Sequence, residues 1–339
     1  NQGTYVANDF SIRALNSGGS AVYTLNTAGN ATGTSYSLTK NGKFKSVIDS
    51  NVSLVLSTTT NVGTFGGVSD FKVHGRYGYV LSNTRYLDIV DLGGLGGSGS
   101  IGRLASTFMN RLEVGGNYAY GGGSALIHVI DVSKPTNPRL ISSWDFSGSE
   151  NITFLSLQGN RLYVGYTTRM KILDVSNPNQ LRLLGTFSSV TKVSGGVIQG
   201  RYAYLTDRDA DVVRVVDVMD PENIVQVSSY SISDPMTISA EGTRLAVIRF
   251  LTSTSYSLTI IDATNPAAMT VLGTHVFGRL VITPPVIRGR YVYVSAYNSL
   301  SSAYEVYIID TANPDSPSSV QSFIPSGGGG EVAVAGNEF

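Results

Sequence analysis

GRYAYLTDRDADVVRVVDVMDP, residues Gly200–Pro221, is the stretch whose reading decides the fold. Two short runs rich in β-branched and aromatic residues, Tyr202–Leu205 and Val212–Val216, flank a polar break at Asp207–Asp211. At one end Gly200 with Arg201 makes a tight turn, because glycine tolerates φ > 0. At the other, Asp217 through Pro221 ends the second run: aspartate bonds the backbone two residues on, and proline stops strand pairing. With Val193–Gln199 before it and Ile224–Tyr230 after it, the stretch becomes a unit of four short strands. Helical spacing of apolar residues is absent throughout the chain.

Working outward, the unit recurs. Its opening motif reads GRYGY at Gly75–Tyr79, GNYAY at Gly116–Tyr120, GNRLY at Gly159–Tyr163, GRYAY at Gly200–Tyr204, GTRLA at Gly242–Ala246 and GRYVY at Gly289–Tyr293. The aspartates that close the third strand, Asp91, Asp131, Asp174, Asp217, Asp262 and Asp310, are spaced 40, 43, 43, 45 and 48 residues apart. A four-stranded unit at that period is a propeller blade. The expectation is an all-β chain, a β-propeller of four-stranded blades, with repeats starting near residues 68, 108, 151, 193, 236 and 281. Asx-type bonding explains the repeated aspartates, and the tyrosines that alternate on strand B, such as Tyr202 and Tyr204, fill the space between blades.

These residues resemble the LVIVD repeat family, whose signature strand Lys171–Val175 and Thr259–Ala263 echo. The resemblance covers about residues 68–326. It implies a propeller, and it implies little about activity, the family being known chiefly from uncharacterised surface or secreted proteins.

Blade number follows from how the ends are used. EVAVAGN at Glu331–Asn337 reads as the first strand of a further repeat. Phe44–Ile48, Val52–Leu56 and Val62–Phe65 would complete it, so residues 41–67 with 331–337 make a closing blade and the count is seven. The rival count is eight, with Gly3–Ala7 (GTYVA) following the C-terminal strand and 34–67 forming a degenerate blade of its own. In the seven-bladed reading residues 1–40 are an N-terminal β extension and 41–339 the propeller. Within the extension, Asp9–Gly29 resembles the short β repeats of phage tail fibres and bacterial surface stalks.

Composition narrows the function. Charged residues make up only 14% of the 339, the net charge is zero, and there is no cysteine. No overall field draws in nucleic acid or an anionic membrane. Disulfides, thiolate metal sites and a cysteine nucleophile are excluded. No apolar run is long enough for a membrane helix. A surface wetted by Ser, Thr, Asn and backbone instead of charge suits an exposed, turn-rich β protein.

The search for chemistry returns little. His74, His128 and His275 fall in different blades and strand positions. The glycine runs Gly121–Gly123 and Gly327–Gly330 read as loops that open no helix, so neither has a helix N-terminus to bind phosphate. Alternate carboxylates Asp207, Asp209 and Asp211 are a weak candidate for Ca²⁺. What remains is a face. In a propeller the B–C hairpins share one end, and here they vary from blade to blade while the A–B and C–D turns are stereotyped. Variable loops on a rigid scaffold are where binding concentrates. The candidate binding residues are Arg85, Ser124, Arg169, Asp207, Arg208, Asp209, Asp211, Tyr256, Tyr297 and Tyr304. No catalytic residue and no cofactor is assigned.

The expected function is a non-catalytic extracellular binding or structural module, a cell-surface or virion component whose loops contact other surface proteins or glycans within a larger assembly. The alternatives are a hydrolase or lyase with its site at the channel mouth, and a periplasmic protein-docking scaffold. Three or more titratable side chains gathered at the channel mouth would favour the enzyme.

Overall fold

The computed structural model describes residues 67–323 apart from 83–84, 93–98, 106–108, 147, 280, 282, 299–302 and 314, and the backbone of four N-terminal strands. The chain divides into a unit of residues Asn1–Thr58 and a unit of Thr59–Phe339. In the first, strands Thr4–Val6, Asp9–Leu15, Ala21–Leu25 and Ala31–Thr32 form an antiparallel meander in chain order. Among the described residues no helix is long and apolar enough to cross a membrane.

The second unit is a propeller of six four-stranded blades among the described residues, not seven or eight. This corrects the expected count. Each repeat supplies all four of its strands from its own sequence, and blade 1 begins with its own inner strand, Val68–His74. No described blade therefore lacks a strand for the chain ends to donate. Thr4–Val6, the start of the supposed eighth blade, pairs instead with Asp9–Leu15, Tyr5 opposite Phe10. Of the closing segments 41–67 and 331–337, only Gly67 is among the described residues.

The inner strands, Val68–His74, Arg111–Gly115, Ile152–Gln158, Val193–Gln199, Pro235–Glu241 and Val286–Arg288, lie side by side in blade order. Their open edges are bridged by side chains of the preceding blade. Asp70 accepts the Leu112 N–H at 2.7 Å, Arg111 Nε donates to the Thr153 carbonyl at 2.7 Å, and Ser194 Oγ donates to the Pro235 carbonyl at 2.7 Å. Such bonds meet the requirement that buried backbone groups be paired.

Apolar packing lies between blades. Tyr120, Ile127 and Val129 of blade 2 meet Leu155, Leu162 and Leu173 of blade 3. Gly121–Gly123, expected as a loop, ends the second strand of blade 2, Tyr118–Gly123, and is buried. A Cβ at Gly121 would lie 2.0 Å from the Met109 sulfur, so the glycines make room for neighbouring side chains instead of a turn.

The rim carries a second repeated contact. The C–D turns of blades 2 to 5 press a proline carbonyl onto the outer strand of the blade before. Ser142 donates to the Pro178 carbonyl at 2.7 Å and Ser228 to that of Pro266 at 2.5 Å. At the matching positions Gly102 and Gly185, a Cβ would lie 1.9 Å from the Pro135 and Pro221 oxygens. The closing aspartates behave as expected: Asp131, Asp174, Asp217, Asp262 and Asp310 each accept the N–H two residues on. In the blades whose motif reads GRY, the arginine also pairs with that aspartate: Arg76 with Asp91, Arg201 with Asp217, Arg290 with Asp310.

Candidate binding face

The ten residues singled out from sequence all lie at or beside the B–C hairpins. Three sit in left-handed backbone, Arg85 at φ 69°, Ser124 at φ 46° and Asp211 at φ 54°, a conformation that costs a non-glycine residue energy and fixes each turn's shape. Arg169 binds Glu150 in a bidentate pair through one guanidinium edge, Nε at 3.0 Å and Nη2 at 2.8 Å, fastening the blade 3 hairpin to the crossover that enters the same blade.

Blade 4 carries the most elaborate fastening. Asp207 is fully buried, at 0% exposure. Its carboxylate accepts from Thr191 N at 3.0 Å, Thr191 Oγ1 at 2.6 Å, Lys192 N at 2.7 Å and Arg214 Nε at 2.6 Å. Burial alone would push the Asp207 carboxyl up, but these donors outweigh it and hold it below its ordinary value. The next residues form a 3₁₀ turn, Arg208–Ala210. Arg208 pairs with Asp234, Asp209 lies 3.3 Å from Lys192 Nζ, and Asp211 accepts the Asp234 N–H at 2.6 Å. The three alternate carboxylates therefore serve three different tasks. The described residues contain no group of three or more acidic or histidine side chains placed to share a metal ion.

In blades 5 and 6 the strands run far into the hairpins. Strands Arg244–Thr252 and Ser255–Asp262 leave a turn of two residues between them. Tyr256 is a strand residue buried edge-on against Phe250, with ring centroids 5.5 Å apart. Tyr297 and Tyr304 face one another across the extended blade 6 hairpin at 5.2 Å, both half-buried. They are positioned to offer aromatic surface at low entropic cost.

Sequence reading missed a charged group on the inner strands. Lys72 Nζ lies 3.5 Å from Asp70 and 4.0 Å from Glu113, across the junction of blades 1 and 2. Both Asp70 oxygens are taken by backbone N–H groups, of Phe71 and Leu112. Burial pushes the Glu113 carboxyl up to about 7, with Lys72 opposing and Asp70 adding to the rise. From an ordinary 4.5, the unfolded chain ionises first as pH rises while the folded one keeps its proton. The stability Glu113 contributes is therefore greatest below about pH 4.5 and falls as pH rises to about 7. A shift of that size corresponds to about 3 kcal/mol before partial exposure reduces it. Glu113→Gln is expected to be more stable than wild type by about 2 kcal/mol near pH 8 and nearly equal near pH 4. Urea unfolding at both pH values measures it, and a difference that does not depend on pH would refute it.

Comparison with known proteins agrees with this geometry. The LVIVD repeat model matches residues 65–94, 109–145, 153–189 and 192–232, the first four blades. No curated protein matches the chain in sequence. Among solved structures, a functionally unknown protein from Desulfotomaculum acetoxidans is similar, with a TM-score of 0.63 at 13% identity over 78% of this chain and 88% of that one. A protein assigned as a 6-phosphogluconolactonase from Bacteroides uniformis gives 0.55 at 14% identity over 77% and 82%. The computationally designed Ika8 protein gives 0.55 at 10% over 76% and 74%. At such identities the likeness is one of fold. The signature strands, the six blades and the four matched segments agree: this is an all-β propeller carrying LVIVD repeats.

Proposed function

We propose that the propeller is a non-catalytic, extracellular binding or structural module, a surface or virion component whose B–C hairpins contact protein or glycan. The observation that carries this reading is the fastening of those hairpins. Glu150 holds Arg169, Asp234 holds Arg208, and the buried Asp207 carboxylate ties the blade 4 hairpin to Thr191 and Lys192. Such turns keep their shape without a partner, so little ordering entropy opposes binding. Zero net charge and a 14% charged content favour contacts made by hydroxyls, amides and tyrosine over long-range attraction.

A glycan array and a panel of purified surface proteins, each probed with the labelled chain, test the binding. Tyr297→Ala with Tyr304→Ala is expected to lower the signal about tenfold, the loss of one aromatic anchor pair. Signal that survives both changes would move the contact elsewhere. Antibody labelling of intact cells or particles tests location: a signal that appears only after permeabilisation rejects an extracellular site.

Asp70, Lys72 and Glu113 give the enzyme reading a specific footing, because a carboxyl held near neutrality suits general acid–base work. Against it, Asp70 is committed to the backbone. A turnover that Glu113→Gln abolishes, with a pH profile breaking near 7, would establish catalysis.

A further inference from the structure

The motif that opens each repeat places tyrosine at its third position in four blades, Tyr77, Tyr118, Tyr202 and Tyr291, and arginine in the other two, Arg161 and Arg244. Each of those tyrosines packs, partly buried, against an apolar core. Arg244 bonds Thr311 Oγ1 at 3.0 Å and the Gly289 carbonyl, both in the next blade. Arg161 likewise reaches across to the next blade, to the Met219 carbonyl at 2.9 Å, and it lines a cleft of ≈ 520 Å³ between blades 3 and 4. The cleft falls in the size range of ligand sites.

The cleft lies at the opposite end of the blades from the B–C hairpins, and its walls are of two kinds. Leu183 is 42% exposed along one side, and Met219, at 65%, adjoins it. Asp220 and Glu222 line the other side; the Asp220 carboxylate accepts the Glu222 N–H at 3.0 Å, and among the described residues neither is paired with a cation. Asp174 holds Arg182 and the Ser176 N–H, while Arg161 donates to the Met219 carbonyl, a neutral acceptor that leaves its positive charge in the cleft. Three carboxylates thus face two guanidinium groups, and the cleft is aliphatic with an excess of one negative charge. Beside it runs Arg182–Phe187, the outer strand of blade 3 and an edge of its sheet. An edge strand offers backbone N–H and C=O groups to an added strand, with side-chain pockets supplying selectivity.

We propose that this cleft seats an extended segment of a partner protein, bringing an aliphatic side chain to Leu183 and Met219 and a lysine or arginine to Asp220 and Glu222. Charge complementarity selects the basic residue, and the edge strand selects the extended conformation. This second binding surface stands independently of the hairpin face.

The probe is a capped seven-residue peptide in which threonine alternates with leucine, lysine and leucine; the control peptide has glutamate in place of lysine. Titration calorimetry and amide shift mapping are run on the full chain. The lysine peptide is expected to bind saturably, with shifts on Arg182–Phe187 and Asp220–Glu222, and the control about tenfold more weakly. Glu222→Lys, an exposed change, is expected to weaken binding about tenfold. Arg161→Tyr, which supplies the tyrosine found in four other blades, is expected to abolish it while thermal unfolding stays cooperative; should that variant misfold, Glu222→Lys decides. No saturable binding, equal affinity for the two peptides, shifts confined to the hairpin face, or binding unchanged in Glu222→Lys would each overturn the proposal.

Discussion

Asp207→Ala is expected to cost about 3–5 kcal/mol of unfolding free energy, the range for removing one partner of a buried, hydrogen-bonded ion pair. The loss has three parts. Arg214, with its side chain only 18% exposed, is left without its carboxylate. The Thr191 and Lys192 N–H groups lose their acceptor inside the protein. The crossover and hairpin they fasten then separate. Asp207→Asn keeps the shape but turns an amide NH₂ toward donors, so it should fall between alanine and wild type. The pH dependence carries a sign. The folded carboxyl sits below its ordinary 3.8, so its contribution is present above that value and is lost as pH falls through the folded value. Chemical denaturation from neutral to strongly acid pH should show wild type converging on Asp207→Ala. A gap that persists in acid would assign the loss to packing instead of charge.

The same residue marks how far the sequence could be read. Strand boundaries in blade 4 were legible to within about two residues, because alternation and turn chemistry are local signals. The Asx role of Asp217 was legible for the same reason. Asp207 was not, since a carboxylate in a polar hairpin looks solvated until the crossover that folds over it is known. Tyr256 misled in the same way: the Ser- and Thr-rich stretch around it resembles a loop, but its ring continues the strand alternation into the core. Gly121–Gly123 lacks any local mark separating a turn from a strand that must admit Met109. The blade count failed on degenerate segments, where short alternating runs satisfy the pattern without showing what they pair with. Arg161 is the opposite case. Its departure from the tyrosine of the motif is plain in the aligned repeats, but the cleft it lines depends on where Met219 and Leu183 come to lie.

Gly185→Ala should be the second most damaging change, costing about 3 kcal/mol, the upper end for overpacking, because the obstacle is backbone. The added Cβ would lie 1.9 Å from the Pro221 oxygen and 2.9 Å from its carbonyl carbon, so a side-chain rotation cannot relieve it. Either the blade 4 turn lifts away or the blade 3 outer strand shifts. The equivalent serines bound the effect from the other side. At Ser142 and Ser228 the proline carbonyl is met by a donating hydroxyl, so Ser142→Gly removes that bond and the one Trp144 Nε1 donates to the same oxygen, costing about 1–2 kcal/mol. Two solutions thus serve one junction, close approach at glycine and a hydroxyl bridge at serine, and they should not be interchangeable. Urea denaturation of Gly185→Ala, Gly102→Ala and Ser142→Gly compares them. Large losses for both alanines with a small one for glycine are expected. Equal losses at all three positions would mean that the rim contact follows from blade packing and does not set it. Gly185 also abuts the cleft between blades 3 and 4 through Pro221, so Gly185→Ala should disturb peptide binding there while Gly102→Ala, at a different junction, leaves it intact.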